Sequence, residues 1–256
     1  MGSVLKAVQL VEALAGRDGD VSLSELARAV GQPVASTYRM VMTLEHAGWM
    51  VRGDEGGYRL SVRLAQVACG ALSGMSMRAK ARPVMARLTA ATGETSYLAL
   101  RDGDRDHVTC VERVESSTLV RLMTWDVGKS LPLNRGATSL AILAHLSGPE
   151  ADGAVARVSS VAVLKAAGDG DLPARLARIR RDGYSVSIEE VTPGVGSVGA
   201  AIFDPAGEVT AAISVGGLAP SIRERIGDIA PQVRAAAEAI SAAIGYTGRY
   251  PPAPGP

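Results

Sequence analysis

The stretch that most restricts what this chain can fold into runs from Gly31 to Gly48. It reads as a helix marked at both ends. Pro33 suits the first helical position, where a missing N–H costs nothing, and Gly48 suits the residue just past the end, where a positive φ is wanted. Val34, Met40, Val41, Leu44 and Ala47 recur at helical spacing and predict one apolar stripe. Near the N-terminus the remaining side chains are Ala35, Ser36, Thr37, Tyr38 and Arg39: short hydroxyls, one aromatic and one guanidinium, the groups that reach phosphates and base edges. Taken alone, the segment is better read as an ordinary surface helix, and its neighbours shift the balance.

Ahead of it, Leu5, Val8, Leu10, Val11 and Leu14 predict a first amphipathic helix ended at Gly16, and Val21-Ser22-Leu23 a brief strand. Ser22 and Glu25 have the S-x-x-E spacing of a capping box, which starts a second helix that stops at Gly31. Two helices across a tight, glycine-containing turn are the helix-turn-helix pattern. Behind it, Trp49–Arg52 and Tyr58–Leu60 read as strands joined by the turn Gly53-Asp54-Glu55-Gly56-Gly57. Three helices and a hairpin make a winged helix-turn-helix over residues 1–60, an arrangement that puts the third helix in the major groove and Arg52 and Arg59 of the wing on flanking backbone or minor groove.

Ser61 is a plausible N-cap for a linker helix within 61–75, and 77–91 predicts another helix containing Pro83. From Glu94 the pattern alternates. Strands are expected at 95–100, 107–114, 118–124, 184–188, 198–203 and 208–215, and helices at 136–146, 172–181 and, interrupted near Pro231, 223–244. This predicts an α+β domain over 76–246, a mostly antiparallel sheet flanked by helices. The Pro-rich residues 247–256 are expected to be disordered.

Composition narrows the function. Hydrophobic content of 47% and charged content of 21% suit a chain with a real core. Residues 61–87 hold Arg63, Arg78, Lys80, Arg82 and Arg87 with no acidic side chain, whereas 88–256 carry an acidic excess, as two functions in one chain would. No apolar run reaches the ~18 residues of a membrane span, the first residues lack the order of a secretory signal, and a cytoplasmic setting with no membrane partner is expected. Cys69 and Cys110 share no metal or redox spacing with each other or with His46, His107 and His145, and read as buried thiols. There is no G-x-S-x-G elbow and no Walker sequence. Gly194–Gly199 ends like a dinucleotide fingerprint without a following helix, and Glu189-Glu190 reads as solvated charge on a turn. No enzyme and no cofactor is indicated.

Several separated motifs, in order, resemble the IclR family of bacterial transcription factors. They are Val21–Ala27, Ser36-Thr37-Tyr38-Arg39, Thr43-Leu44-Glu45, Tyr58-Arg59-Leu60, Ala81-Arg82-Pro83-Val84, Thr92-Gly93-Glu94-Thr95, Val111–Ser116, Leu131-Pro132-Leu133, Glu189–Val195 and Ala212–Val215. The resemblance implies a winged-helix DNA-binding domain, a linker helix and a GAF-like effector-binding domain, assembled as a homodimer or a dimer of dimers. It places an effector pocket at Val120, Met123, Leu131, Ala137, Thr138, Ser187, Val195, Ser197, Ser214 and Gly216. Small-acid sensors of the family carry Asp, Cys and Ser where this chain has Ser187, Ser197 and Gly216, which argues against glyoxylate or pyruvate. Val34 stands where many members have Lys or Arg.

Hydroxyls without charge, set among Val, Met and Leu, suit a mostly apolar ligand with a few hydrogen-bonding groups. The same side chains also suit plain core packing. The expected function is therefore a ligand-responsive regulator, a repressor ahead of an activator, bound as a dimer or dimer of dimers to a pseudo-palindromic duplex operator. Two alternatives stay open: a C-terminal small-molecule enzyme or binding module whose front domain only dimerises, and constitutive DNA binding with a collapsed pocket.

Overall fold

The computed structural model describes residues 2–15, 17, 19–53, 56–74, 76–102, 106–117, 125–146, 153–154 and 172–252, with the side chains of 69–74 left aside. It divides into two compact units, Met1–Gly74 and Met75–Pro256. The helix expected as a linker thus groups with the first unit.

In the first unit, α1 (Ser3–Leu14), α2 (Leu23–Ala29) and α3 (Val34–His46) are followed by the antiparallel hairpin β1 (Met50–Arg52) and β2 (Tyr58–Leu60), then α4 (Val62–Gly74). Leu10, Leu14, Val21, Leu26, Val41, Met50 and Tyr58 form its core. The capping box closes as expected: the Ser22 amide donates to Glu25 Oε2 at 3.0 Å and the Glu25 amide to Ser22 Oγ at 3.3 Å. Because Ser22 serves as the cap, the brief strand shrinks to Val21, which exchanges both backbone hydrogen bonds with Tyr58. Pro33 is the N-cap of α3, one place before the expected position, and Gly48 follows the helix at φ 75° as its composition requires.

The apolar stripes are narrower than the pattern suggested. Thr37 and Val41 are the buried residues of α3, whereas Val34 is 48% exposed. On α1, Leu10 and Leu14 are buried while Val4, Leu5 and Val8 face solvent. Ser61 caps α4 through the Leu64 amide, and its hydroxyl also donates to the Gly48 carbonyl, tying the start of α4 to the end of α3.

The second unit opens with α5 (Ser76–Thr92), which runs through Pro83 without a break. A six-stranded antiparallel sheet follows, built from β3 (Thr95–Asp102), β4 (His107–Val114), β5 (Ser130–Pro132), β6 (Ser185–Ile188), β7 (Val195–Phe203) and β8 (Val209–Leu218), in the order β5-β4-β3-β8-β7-β6. Helices α6 (Gly136–His145) and α7 (Leu172–Asp182) pack on the face carrying Tyr97, Ala99, Ala201, Phe203 and Ala212. On the other lie α5, α8 (Ala219–Glu224) and the long α9 (Ile226–Ile244), which accommodates Pro231. The period-two alternation puts one set of side chains on each face, and both are covered, so strand runs such as Ala200–Phe203 are apolar throughout.

Three expectations shift here. Strand β7 begins at Val195 and β8 reaches Leu218, both longer than read, and β5 falls where no strand was expected. The strand expected at 118–124 lies outside the described residues. The tail was read as disordered from residue 247. Within 247–252, however, the Tyr250 hydroxyl donates to the Ala201 carbonyl at 2.7 Å and its ring meets Phe203 edge-on at 5.7 Å. One hydrogen bond and one aromatic contact outweigh a Pro-rich composition. No described helix is long and apolar enough to cross a membrane.

Candidate DNA-binding face and effector pocket

Helix α3 exposes Val34, Ala35, Tyr38, Arg39 and Met42. Ser36, Arg39, Met40 and Thr43, one helical face, line a groove of about 470 Å³ against Ser3, Val4, Lys6 and Ala7 of α1. Lys6 closes one end by donating to Gln32 Oε1 at 2.7 Å. The N-terminus of α3 has no side-chain cap and no acidic residue in its first turn. Its leading N–H groups and the helix dipole therefore favour an anion. Of the expected DNA contacts on this helix, Ala35, Tyr38 and Arg39 are exposed and Ser36 is half-buried. Thr37 is fully buried, and its hydroxyl donates to the Pro33 carbonyl at 3.2 Å. The helical period turns it 100° from Ser36 and into the core. Arg52 and Arg59 are exposed on the hairpin, and Arg59 stands 4.0 Å from Asp20, too long to immobilise it.

In the second unit a small cavity lies at the N-terminus of α6. Its described lining is Tyr97, Trp125, Leu131, Arg135–Thr138, Val191, Thr192, Val195, Ser197, Ser214 and Gly216. Seven of the ten expected residues therefore come together: Leu131, Ala137, Thr138, Val195, Ser197, Ser214 and Gly216. Ser187 is buried and in register with Ser197 but is not part of the lining. Val120 and Met123 lie outside the described residues.

The pocket forms where it does because β7 passes close under α6. Any Cβ at Gly199 would stand 2.9 Å from the Ala137 carbonyl carbon, so only glycine permits this approach. Thr138 Oγ1 donates to Ser214 Oγ at 2.7 Å, fastening α6 to β8. Tyr97 and Trp125 face each other at 6.0 Å, and Trp125 Nε1 donates to the Lys129 carbonyl at 2.9 Å. The described walls enclose about 50 Å³, space for a compact group only.

Sequence reasoning missed Tyr97, Trp125 and above all Arg135. The Arg135 guanidinium donates through Nη2 to the Glu190 carbonyl at 2.8 Å, and its Nε is buried without a hydrogen-bond partner. Beside it the first turn of α6 has neither a side-chain cap nor an acidic residue. The pocket is thus not the uncharged one that its hydroxyls suggested. Arginine directly before a helix was the available signal. The turn 189–194 forms one wall. It holds Glu189 at φ 61° and is clamped by Arg175, which meets Glu190 Oε1 at 2.6 Å. Glu190 is therefore an ion-paired, largely buried carboxylate, while Glu189 remains half-exposed.

Other reactive groups are committed elsewhere. Cys110 is buried and burial pushes its thiol up to about 12. His145 is held below the ordinary histidine range by burial. No cluster of metal-ligating side chains occurs among the described residues.

Comparison with known proteins agrees with both halves. Residues 3–54 match the IclR helix-turn-helix domain, and residues 69–242 match the C-terminal domain of bacterial IclR transcriptional regulators. The chain is 31% identical to the HTH-type transcriptional regulator KipR of Bacillus subtilis over 234 residues, covering 89% of this chain and 91% of that one. It is 28% identical over 247 residues to the transcriptional repressor IclR of Escherichia coli, covering 95% and 90%. The crystal structure of Thermotoga maritima IclR superposes with a TM-score of 0.69 at 26% identity, covering 95% of this chain and 99% of that one. The chain therefore belongs to the IclR family of bacterial transcriptional regulators, as a DNA-binding, non-enzymatic member with an N-terminal helix-turn-helix and a C-terminal α+β domain.

Proposed function

We propose that the protein is a ligand-responsive repressor that grips a pseudo-palindromic operator as a dimer or dimer of dimers. The observation that carries the ligand reading is the cavity at the uncapped start of α6, with the Arg135 guanidinium in its wall. Ala35, Ser36, Tyr38 and Arg39 read the major groove, and Arg52 and Arg59 hold flanking phosphates. Repression follows the relatives, among them the E. coli transcriptional repressor IclR and the Salmonella acetate operon repressor. Self-association is supported by Val4, Leu5 and Val8, an apolar face of α1 left exposed.

The effector is a compact molecule with an apolar body against Tyr97, Trp125, Leu131 and Val195. One acidic or strongly accepting end meets Arg135 and the Ala137 and Thr138 amides. Anything larger than the enclosed space must displace the 189–194 turn. That displacement, passed to α4, resets the spacing of paired recognition helices. Ligand must bind the two geometries unequally for this to work. The test is an anisotropy titration of upstream duplex DNA at fixed salt, with and without compounds that raise the Tm. Specific DNA binding relieved by one such compound is the expected result. No specific DNA binding would return the chain to the class of a stand-alone small-molecule module. DNA binding that no stabilising compound alters would make it constitutive.

A further inference from the structure

A second concave site lies in the effector domain and shares no lining residue with the cavity at α6. It is a groove of about 580 Å³ between α7, α9 and the segment after α9, lined by Ala177, Arg180, Arg181, Arg234, Arg249, Tyr250, Pro251 and Pro252. Four guanidiniums thus converge on one depression of a domain whose acidic and basic residues nearly balance.

Their partners do not account for them. Arg180 spends one N–H on the Ala144 carbonyl at 2.9 Å. Arg181 is paired with Asp182 at 2.8 Å. Arg234 lies over Gly183, its Nε buried and without a hydrogen-bond partner. Arg249 is exposed, with no ion pair among the described residues. Among the described residues the nearby carboxylates are Asp182 and, one turn beyond Arg234 on α9, Glu238. Among the described residues a surplus of positive charge therefore remains. The far wall is fixed, because Tyr250 is anchored to Ala201 and Phe203.

Guanidinium forks match the oxygens of phosphate bidentately. A monocarboxylate would neutralise one of these charges, whereas a phosphoryl dianion accepts from several forks at once. The groove has the volume of a small-molecule site. A duplex needs an extended surface rather than a depression closed by a chain segment. We propose that this groove binds a small phosphorylated molecule, giving the effector domain a second ligand site distinct from the α6 cavity.

The test titrates the full chain with inorganic pyrophosphate by calorimetry, at constant ionic strength, against sulfate and citrate. Pyrophosphate is expected to bind at least about tenfold tighter than sulfate, a difference of about 1.4 kcal/mol. Arg249→Gln, at an exposed position, should lose most of that preference while its Tm is unchanged, and Arg234→Gln should lose it too. Asp182→Asn should tighten binding, since it frees Arg181. Equal affinity for pyrophosphate and sulfate would overturn the proposal, as would binding unaffected by either arginine variant. Citrate binding tighter than pyrophosphate would overturn the phosphoryl assignment. Displacement of pyrophosphate by operator-free duplex DNA would overturn the small-molecule assignment.

Discussion

Thr138 and Ser214, 76 residues apart, share a buried hydrogen bond of 2.7 Å that joins the first turn of α6 to strand β8 at the pocket wall. Replacing Thr138 by Val keeps the shape and leaves Ser214 Oγ without its donor. A buried polar group so orphaned costs about 1–3 kcal/mol. Urea unfolding of Thr138→Val should show a midpoint lowered accordingly with an unchanged m-value. The Thr138→Val/Ser214→Ala pair should recover part of the loss, because it removes both partners.

On α3, Arg39 is exposed and Thr37 buried, although the sequence pattern groups both in one DNA-contacting tip. Arg39→Ala should weaken operator binding by about ten- to hundredfold, as loss of a specific arginine contact does, with Tm unchanged. Thr37→Val should leave the DNA-facing surface intact and alter stability alone, by about 1 kcal/mol for the lost hydroxyl bond to Pro33. Gel-shift titration at fixed salt beside thermal melting distinguishes them. An Arg39→Ala variant with wild-type affinity would remove this residue from the interface.

Arg135 makes ligand charge testable. Arg135→Met retains the apolar stem but removes the guanidinium from the cavity wall. Compounds bearing a carboxylate should lose about tenfold or more in affinity, the loss expected for a charge-assisted hydrogen bond, while uncharged analogues should be little affected. Thermal shift across a matched acid and amide pair reads the difference. The same loss for both compounds would mean that Arg135 acts only through the Glu190 and Val191 carbonyls it holds.

Much of the front unit was legible because its signals are local. Ser22 and Glu25 sit three residues apart, and Gly48 needs only its own φ, so spacing alone reveals them. Ser22→Ala should accordingly destabilise the first unit by about 1 kcal/mol, measured as an earlier melt of its helical signal. The burial of Thr37 was not legible. It depends on which side of α3 the rest of the unit covers, and a threonine beside Ser36 and Tyr38 looks like part of the polar tip. In the rear unit the strands were read from alternation, but their ends were not. Gly196, Gly199, Gly216 and Gly217 break the apolar pattern of strands β7 and β8, although they stand in the sheet. The pocket was mostly reached through family resemblance, since Ser, Val and Gly look the same in a core and in a cavity. Tyr97, Trp125 and Arg135 escaped because three distant segments meet there, and only tertiary structure brings them together.

His145 gives the second unit a predicted acid sensitivity. Its Nδ1 lies 2.8 Å from the Ala141 carbonyl and therefore carries the proton, while Nε2 is buried with no partner and the ring meets Phe203 edge-on at 5.2 Å. Burial holds the imidazole below the ordinary histidine range, and the nearby Arg180 adds to this against the helix carbonyl's opposing pull. With the folded pKa depressed, the unfolded chain binds the proton first as pH falls. Stability is therefore full above the unfolded histidine pKa of about 6.5 and declines as pH drops below it, levelling once the folded form is protonated too. His145→Leu removes the titration, at the cost of the hydrogen bond to Ala141. Chemical denaturation of both proteins between pH 7.5 and pH 5 should show the wild type losing stability more steeply than the variant. Parallel pH profiles would assign the acid response to other groups.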